Sequence, residues 1–155
     1  MTDISKAEVL AAQQAWGEGI VAIAKTHKDG GDYKARAIEH INSLYAYGEA
    51  DVMFKPTLVS ENQFRPTFEG ALSYFIGTSG TEDSGFAIKG WTAVGWDVNG
   101  INTNGESAMS MGNYFFTSPD GSVTKVEFSF GYVRSENGEL KINLHHSSLP
   151  YNPSV

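Results

Sequence analysis

The sequence contains no cysteine, few basic residues and no long hydrophobic run. The lack of cysteine excludes disulfides, thiolate catalysis and cysteine-ligated zinc. There are 11 Lys and Arg against 18 Asp and Glu, which gives a formal charge of −7, and the basic residues are scattered. A nucleic-acid partner is therefore not expected, since phosphate binding requires clustered Lys and Arg. No segment has the roughly 18 consecutive apolar residues of a membrane span.

The N-terminal residues do not have the basic and then apolar layout of a signal peptide. We therefore expect a cytoplasmic protein that has no membrane partner. A chain of 155 residues with 41% hydrophobic content fits one globular domain, residues 1–155. Neither an internal repeat nor a linker is visible.

The first half of the sequence shows helical periodicity. Ser5 and Glu8 have the spacing of a capping box, which predicts the start of a long helix ending near Asp29. Spacings of three and four residues predict its buried stripe, formed by Val9, Gln13, Trp16, Ile20, Ile23 and His27. A second helix is predicted from Asp32 to Tyr47, with His40 on its polar flank and an inward face of Ile38, Ile41, Leu44 and Tyr45. A third helix is predicted from Arg65, with Phe68, Leu72 and Phe75 inward, to the stop at Gly77.

The second half of the sequence changes to a period of two. Strands are predicted at about 86–98, 106–117, 122–134 and 140–148, with tight turns at Asp120-Gly121 and Asn137-Gly138. A short extended piece at 51–59 contains Pro56, which suits a sheet edge. Helices followed by an antiparallel meander predict an α+β fold, in which helices pack on a curved sheet and enclose a pocket.

The loop at residues 77–85 is rich in Gly, Ser and Thr. We interpret it as a connector or a lid, with Glu82 and Asp83 as solvated charges.

The last predicted strand carries polar residues at its end. Side chains alternate between the two faces of a strand. His146 and Ser148 are therefore in phase with the apolar Ile142 and Leu144, whereas His145 and Ser147 lie on the opposite face. We expect the apolar face to be buried, so His146 and Ser148 are expected to point inward.

Three stretches carry a resemblance to a known family: FKPT (residues 54–57), FRPTFEGALSYF (64–75) and INLHHSSLPY (142–151). Together with the order of elements, they resemble the association domain of calmodulin-dependent protein kinase. That domain has the cone-shaped, nuclear-transport-factor-2-like fold of ketosteroid isomerase and scytalone dehydratase. More closely, the stretches resemble the iota-class carbonic anhydrases of bacteria and algae, and in particular members without a metal. The resemblance implies this fold and the hydration of CO2 without a cofactor.

The resemblance also implies a bicarbonate pocket formed by a threonine, a tyrosine, a histidine and a serine. By position these are Thr57, Tyr74 and a histidine and serine two residues apart. Both His146 with Ser148 and His145 with Ser147 fit that spacing. The alternation argument favours His146 and Ser148, and a bulge near Pro150 would reverse this choice.

The chemistry expected of these residues follows from the cost of making hydroxide. Zinc lowers the pKa of bound water to about 7, but a three-histidine zinc site would require His27 or His40 to join the terminal pair. Without a metal, free hydroxide at pH 7 costs about 12 kcal/mol. A concerted attack is therefore expected, with His146 as proton acceptor and Thr57 orienting the water. Tyr74 and Ser148 would donate hydrogen bonds to the substrate oxygens.

Apolar walls from Phe128, Phe130 or Tyr132 would suit CO2, and His145 is a further candidate contact.

An alternative function is a non-catalytic module that binds small carboxylates or mediates assembly, as the kinase association domain does. An isomerase or dehydratase is a third hypothesis, although no carboxylate lies at an inward strand position. We expect a homodimer that pairs through sheet faces, and Trp91 and Trp96 would support this if they are exposed.

Overall fold

The computed structural model describes residues 2–154, so the two ends of the predicted domain, Met1 and Val155, lie outside the described residues. Two helices come first, α1 at Lys6–Lys28 and α2 at Tyr33–Leu44. The short strand β1 at Met53–Lys55 and the helix α3 at Phe68–Ile76 follow. A single 3-10 turn, Phe86–Ile88, leads into four long strands: β2 at Ala93–Asn104, β3 at Ser107–Thr117, β4 at Val123–Arg134 and β5 at Leu140–Ser148.

The five strands form one open sheet in the order β1-β5-β4-β3-β2. The long strands pair antiparallel, as predicted, but β1 pairs parallel with β5 at the edge. The helices pack against one face of the sheet and bury an aromatic core. The predicted α+β fold is therefore confirmed.

The helices begin and end at their capping residues, and some of these ends differ from those that the hydrophobic periodicity predicted. The Ser5–Glu8 capping box is present at the start of α1. Thr67 caps α3 by accepting a hydrogen bond from the amide of Gly70, so α3 begins later than Arg65. Gly77 ends α3 with a φ of 87°, a conformation that favours glycine. The second helix ends at Leu44 because Tyr45 is extended and bridges to Ile142 in the sheet.

Two predicted strand boundaries are wrong. The segment at Phe86–Ile88 is a 3-10 turn, so β2 begins only at Ala93. Asn99 and Gly100 continue β2 through an irregularity in its register and do not form a loop.

Candidate functional site

The predicted inward orientation of His146 and Ser148 is wrong. His145 and Ser147 are each 1% exposed, whereas His146 is exposed and Ser148 half-buried on the outer face. The cause is a β-bulge in β5: Gly131 of β4 pairs with Leu144, but the next residue pairs with Ile142. Asn143 is therefore an extra residue that shifts the alternation by one position.

Gly131 makes this bulge possible. A Cβ atom at this position would lie 2.9 Å from both the Asn143 side chain and the Leu144 Cβ. A glycine inside a strand often marks a bulge or a close backbone approach, so Gly131 was the signal in the sequence that could have reversed the assignment.

His145 is held by two buried tyrosines. The Tyr45 hydroxyl lies 2.7 Å from its Nδ1, and the Tyr114 hydroxyl lies 3.0 Å from its Nε2. Tyr114 also donates a hydrogen bond of 2.5 Å to the Ser147 hydroxyl. Ser147 in turn lies 2.6 Å from the hydroxyl of Thr57. These groups form one continuous chain from the core to the bend after β1.

The protons along this chain have a preferred direction. Trp16 donates to the Tyr45 hydroxyl at 3.0 Å, which leaves the Tyr45 proton free to point at Nδ1 of His145. Because Tyr114 uses its own proton on Ser147, its oxygen accepts from Nε2–H. This hydrogen-bond pattern assigns His145 as the neutral Nε2–H tautomer. Every donor from Trp16 to Tyr114 then points toward Ser147.

The imidazole of His145 is also packed between two aromatic rings. Phe130 stacks on it with a centroid separation of 4.2 Å, and Phe54 stacks at 4.9 Å. Burial, with smaller contributions from His146 and His40, holds the pKa of His145 well below its ordinary value. The ring is therefore neutral at physiological pH.

The hydroxyls of four residues lie together at the outer end of this hydrogen-bonded chain: Thr57, Tyr74, Tyr114 and Ser147. Tyr74 accepts a hydrogen bond of 3.1 Å from the amide of Leu58. Burial raises the pKa of Tyr74 to about 12, although the Leu58 amide and Thr57 partly oppose this effect. Burial likewise raises the pKa of Tyr114. Both phenols remain protonated at neutral pH. Of these four residues only Thr57 is half-buried and the others are buried, so the network reaches solvent at Thr57.

The predicted apolar walls lie beside this network. Phe130 contacts His145 directly, and Phe128 packs against Tyr114 with a centroid separation of 5.2 Å. Phe128, Phe130 and Tyr132 are all buried. The structure thus brings together Thr57, Tyr74, Phe128 and Phe130 with His145 and Ser147, and it turns His146 and Ser148 away from them. On the outer face, Ser148 donates to Glu127 at 3.0 Å.

The interpretation of Glu82 and Asp83 as solvated loop charges is wrong. Asp83 forms a bidentate ion pair with Arg65, and the side chains of Asp83 and Arg65 are 5% and 2% exposed, respectively. Glu82 accepts hydrogen bonds from the backbone amides of residues 60–62. Residues 77–85 therefore fasten the segment that follows β1, and the sequence showed no signal of this pairing.

The prediction that His40 lies on a polar flank is also wrong. His40 is fully buried beside Trp16 and Phe75, and neither ring nitrogen has a hydrogen-bond partner within residues 2–154. His27, expected in the buried stripe, is exposed at the end of α1.

No three His, Asp or Glu side chains in the described part of the chain are grouped as a metal site requires. Within residues 2–154, neither His27 nor His40 joins the terminal pair in such a group.

Sequence reasoning missed Tyr114, and it assigned Tyr45 and Trp16 only to the core. Tyr114 is buried by the same alternation that places Phe116 inward, and nothing local distinguishes it from a core residue. Its role follows only from the pairing of β3, β4 and β5, which brings it to Ser147.

Neither Trp91, which is 9% exposed, nor the half-buried Trp96 is an exposed contact, so they give no support for a dimer.

Comparison with known proteins assigns this arrangement to a family. A family model described as metal-independent carbonic anhydrase matches residues 7–149. A protein of that name from Nostoc sp. (strain PCC 7120) is 42% identical over 153 residues, covering 96% of this chain and 75% of the Nostoc protein. The crystal structure of an iota-carbonic anhydrase from a cyanobacterium, complexed with bicarbonate, matches with 41% identity and a TM-score of 0.92. That match covers 97% of this chain and 94% of the other.

More distant structures share the fold alone. A protein described as a calcium/calmodulin-dependent protein kinase II association domain, from Xanthomonas campestris, matches with a TM-score of 0.68 and 20% identity, over 99% of this chain and 91% of that one. A protein described as a dehydratase of the NTF2-like family, from Streptomyces avermitilis, matches with a TM-score of 0.60 and 13% identity, over 94% and 95%. No helix within residues 2–154 is long and apolar enough to cross a membrane.

Proposed function

The chain belongs to the metal-independent carbonic anhydrase family, and from that premise we propose that it interconverts CO2 and water with bicarbonate and a proton. The observation that carries the proposal is the directed chain from Trp16 through His145 to Ser147. It ends in a group of hydroxyls beside apolar rings. A site with apolar rings beside hydroxyl donors suits a small nonpolar substrate that becomes an oxyanion.

The proposed catalytic residues are Thr57, Tyr74 and Ser147, and His145 is proposed as a positioning residue that acts through them. The hydroxyls of Thr57 and Ser147 are 2.6 Å apart, and Tyr74 is fixed beside them by the Leu58 amide. His145 and Ser147 replace His146 and Ser148 in the role that the resemblance implies, because the bulge in β5 turns the latter pair outward. Tyr114 is a second positioning residue, because it connects His145 to Ser147.

The network supports stabilisation of negative charge. In hydration, a bond forms between the water oxygen and the CO2 carbon, and an electron pair of one C=O bond moves to its oxygen. Donors aimed at that oxygen stabilise the transition state. Ser147 accepts a hydrogen bond from Tyr114, so its own proton is available for donation to Thr57 or to the substrate oxygen. We assign this contact to Ser147, supported by Tyr74 and Thr57.

The water must lose a proton as it attacks, since forming free hydroxide first would cost about 12 kcal/mol. His145 does not store this proton, because burial keeps its pKa far below neutrality. The proton instead passes to a base in solvent at the half-buried Thr57. The products are then bicarbonate and the protonated base. His145 positions Tyr114 and Ser147 and polarises their hydroxyls.

The alternative of a non-catalytic carboxylate-binding or assembly module is not favoured. The kinase association domain shares only the fold, at 20% identity, whereas the bicarbonate-bound carbonic anhydrase shares 41%. The dehydratase hypothesis has no better support, since the buried Asp83 is occupied by Arg65.

A homodimer is the proposed assembly. The outer face of the sheet exposes Met53, Met109 and Met111, which are 64%, 59% and 54% exposed. An apolar surface of this kind on a sheet suits pairing with a second copy. The cytoplasmic location expected from the sequence stays a prediction.

Stopped-flow CO2 hydration on chelator-treated protein tests the activity, and neighbouring serines test the site. Ser147→Ala should lower kcat by about 100-fold to 1,000-fold, since it removes a donor to the developing oxyanion. Ser148→Ala, the matched control on the outer face, should stay within about twofold of the unmodified protein, because its hydroxyl contacts Glu127 instead.

A wild-type rate no higher than the buffer blank would refute the proposed activity. Equal effects of the two serine substitutions would refute the proposed site. Circular dichroism of both variants verifies that each is folded.

A further inference from the structure

Glu82 holds the backbone of the segment that follows β1. Its Oε1 accepts from the amide of Ser60 at 2.7 Å, and its Oε2 accepts from the amide of Asn62 at 2.6 Å. The amide of Glu61 lies 3.2 Å from Oε1 and 3.1 Å from Oε2. Three consecutive amides thus converge on one carboxylate, a geometry that favours an anion. These bonds hold the pKa of Glu82 below its ordinary value, so the carboxylate is charged.

The adjacent Asp83 holds the other end of the same segment. Its two oxygens accept from the Arg65 guanidinium at 2.8 and 2.7 Å, and Ser73 of α3 donates to it at 2.6 Å. The guanidinium carbon of Arg65 lies 5.9 Å from the centre of the Tyr74 ring. Two neighbouring residues of the 77–85 loop therefore fix residues 60–62 and Arg65 relative to α3.

The proposed catalytic groups lie inside this frame. Thr57 and Leu58 precede the three amides by two to five residues, and the Leu58 amide donates to the Tyr74 hydroxyl. Tyr74 itself belongs to α3, which Asp83 contacts through Ser73. A shift of the 58–62 backbone would move Thr57 relative to both Tyr74 and Ser147.

We propose that Glu82 is a positioning residue of the site, which acts through the backbone amides of residues 60–62 to fix Thr57 and Leu58 against Tyr74 and Ser147. This inference rests on the proposed function. It assigns to the 77–85 loop the role of a fixed clamp, in place of the connector or lid that its composition indicated. Glu82 touches no reacting atom, so its effect must arise from the placement of other groups.

The substitution Glu82→Gln tests the clamp with the least change of shape. The amide nitrogen of Gln is itself a donor, so it cannot accept a hydrogen bond from the third backbone amide. A misplacement of about 1 Å in a catalytic group can cost about 100-fold in rate. We expect Glu82→Gln to lower kcat by about tenfold, with a smaller change in KM, because Thr57 is used most fully in the transition state.

Glu61→Gln is the matched control. Glu61 lies in the same segment and is exposed, and its carboxylate makes no hydrogen bond to any group within residues 2–154. It makes the same change of charge and should leave kcat within about twofold of wild type. Both variants are assayed well below their thermal midpoints, so that a loss of stability alone does not alter kcat. If Glu82→Gln fails to fold, Glu82→Asp, whose carboxylate is one methylene short of the amides, is judged by the same criterion.

Hydrogen exchange provides a readout that does not depend on activity. The amides of residues 60–62 should exchange faster in Glu82→Gln than in wild type or Glu61→Gln. An active wild type with an unchanged kcat in Glu82→Gln would overturn the clamp, and so would unchanged exchange at these amides. An inactive wild type would instead refute the proposed function, so the two failures are distinguishable.

Discussion

The fully buried His40 predicts how the stability of the protein depends on pH. Its ring lies between Trp16 and Phe75, at centroid distances of 5.9 and 5.8 Å. Burial, with a smaller contribution from Arg36, lowers the pKa of His40 to about 3. The folded protein therefore keeps His40 neutral at pH values where the unfolded chain, with an ordinary pKa near 6.5, takes up a proton.

The direction and size of the effect follow from linkage. Because the unfolded state binds the extra proton, the contribution of His40 to stability is complete above about pH 7 and decreases as the pH falls toward 3. Between pH 7.5 and 5.0 this single group lowers the free energy of unfolding by about 2 kcal/mol. His145, whose pKa is also lowered by burial, acts in the same direction. Carboxylates add little in this window, because the ordinary carboxyl pKa values near 4 in the unfolded chain lie below pH 5.0, and so do the lowered pKa values of Glu8, Glu82 and Asp83 in the folded protein.

Urea unfolding at pH 7.5 and at pH 5.0 measures this difference. The wild-type free energy of unfolding should fall by more than about 2 kcal/mol, and in His40→Leu the fall should be smaller by about 2 kcal/mol. His27→Gln, at the exposed end of α1, is the control and should show the wild-type difference. If His40→Leu retained the full wild-type difference, the reasoning from burial would be refuted.

Two further predictions concern the packing of His40 and the outer face of the sheet. Gly19→Ala should destabilise the protein, because the new Cβ would lie 2.1 Å from Nδ1 of His40. The overpacking cost of about 1–3 kcal/mol should exceed the gain of about 1 kcal/mol for alanine over glycine in a helix, and a higher urea midpoint would contradict this. Sedimentation equilibrium should show a dimer that Met109→Glu together with Met111→Glu dissociates, and an unmodified monomer at micromolar concentration would contradict the proposed pairing.

The fold could be predicted because it depends on local signals that agree with one another. The Ser5–Glu8 capping box, the stripe through Trp16 and Ile20, and the two tight turns each specify one element without help from the rest of the chain. Their order, helices before an antiparallel meander, then leaves few architectures. The start of β2 was missed because the apolar Phe86–Ile88 segment is buried in a 3-10 turn, which periodicity does not separate from a strand.

The site was predicted only in part because it depends on pairing between distant strands. Thr57 and Tyr74 were found through the family motifs, but the choice between the two histidine and serine pairs required the register of β5 against β4. One extra residue, Asn143, reversed every assignment after it. The buried His40 was misjudged for a similar reason, since the space for its ring is provided by Gly19 of another helix.

The acidic residues of the 77–85 loop were a further error of this kind. Composition treats Glu82 and Asp83 as solvated because nothing near them in sequence is basic. Their partners are Arg65 and three backbone amides about 20 residues earlier. Backbone amides leave no trace in composition, so an anion site made from them is visible only in three dimensions.

The order of groups along the hydrogen-bonded chain favours a serine over the histidine as the group that meets the substrate. If His145 itself contacted CO2, its low pKa would make it a weak base, and its ring is already occupied on both nitrogens. Ser147, two residues further along β5 and on the same face, accepts a hydrogen bond from Tyr114, so its own hydroxyl proton is available for an acceptor. The same donor serves both directions of the reaction, since bicarbonate presents in dehydration the oxygens on which charge develops in hydration. A buried, neutral imidazole is therefore suited to fixing the direction of hydrogen-bond donation along these side chains.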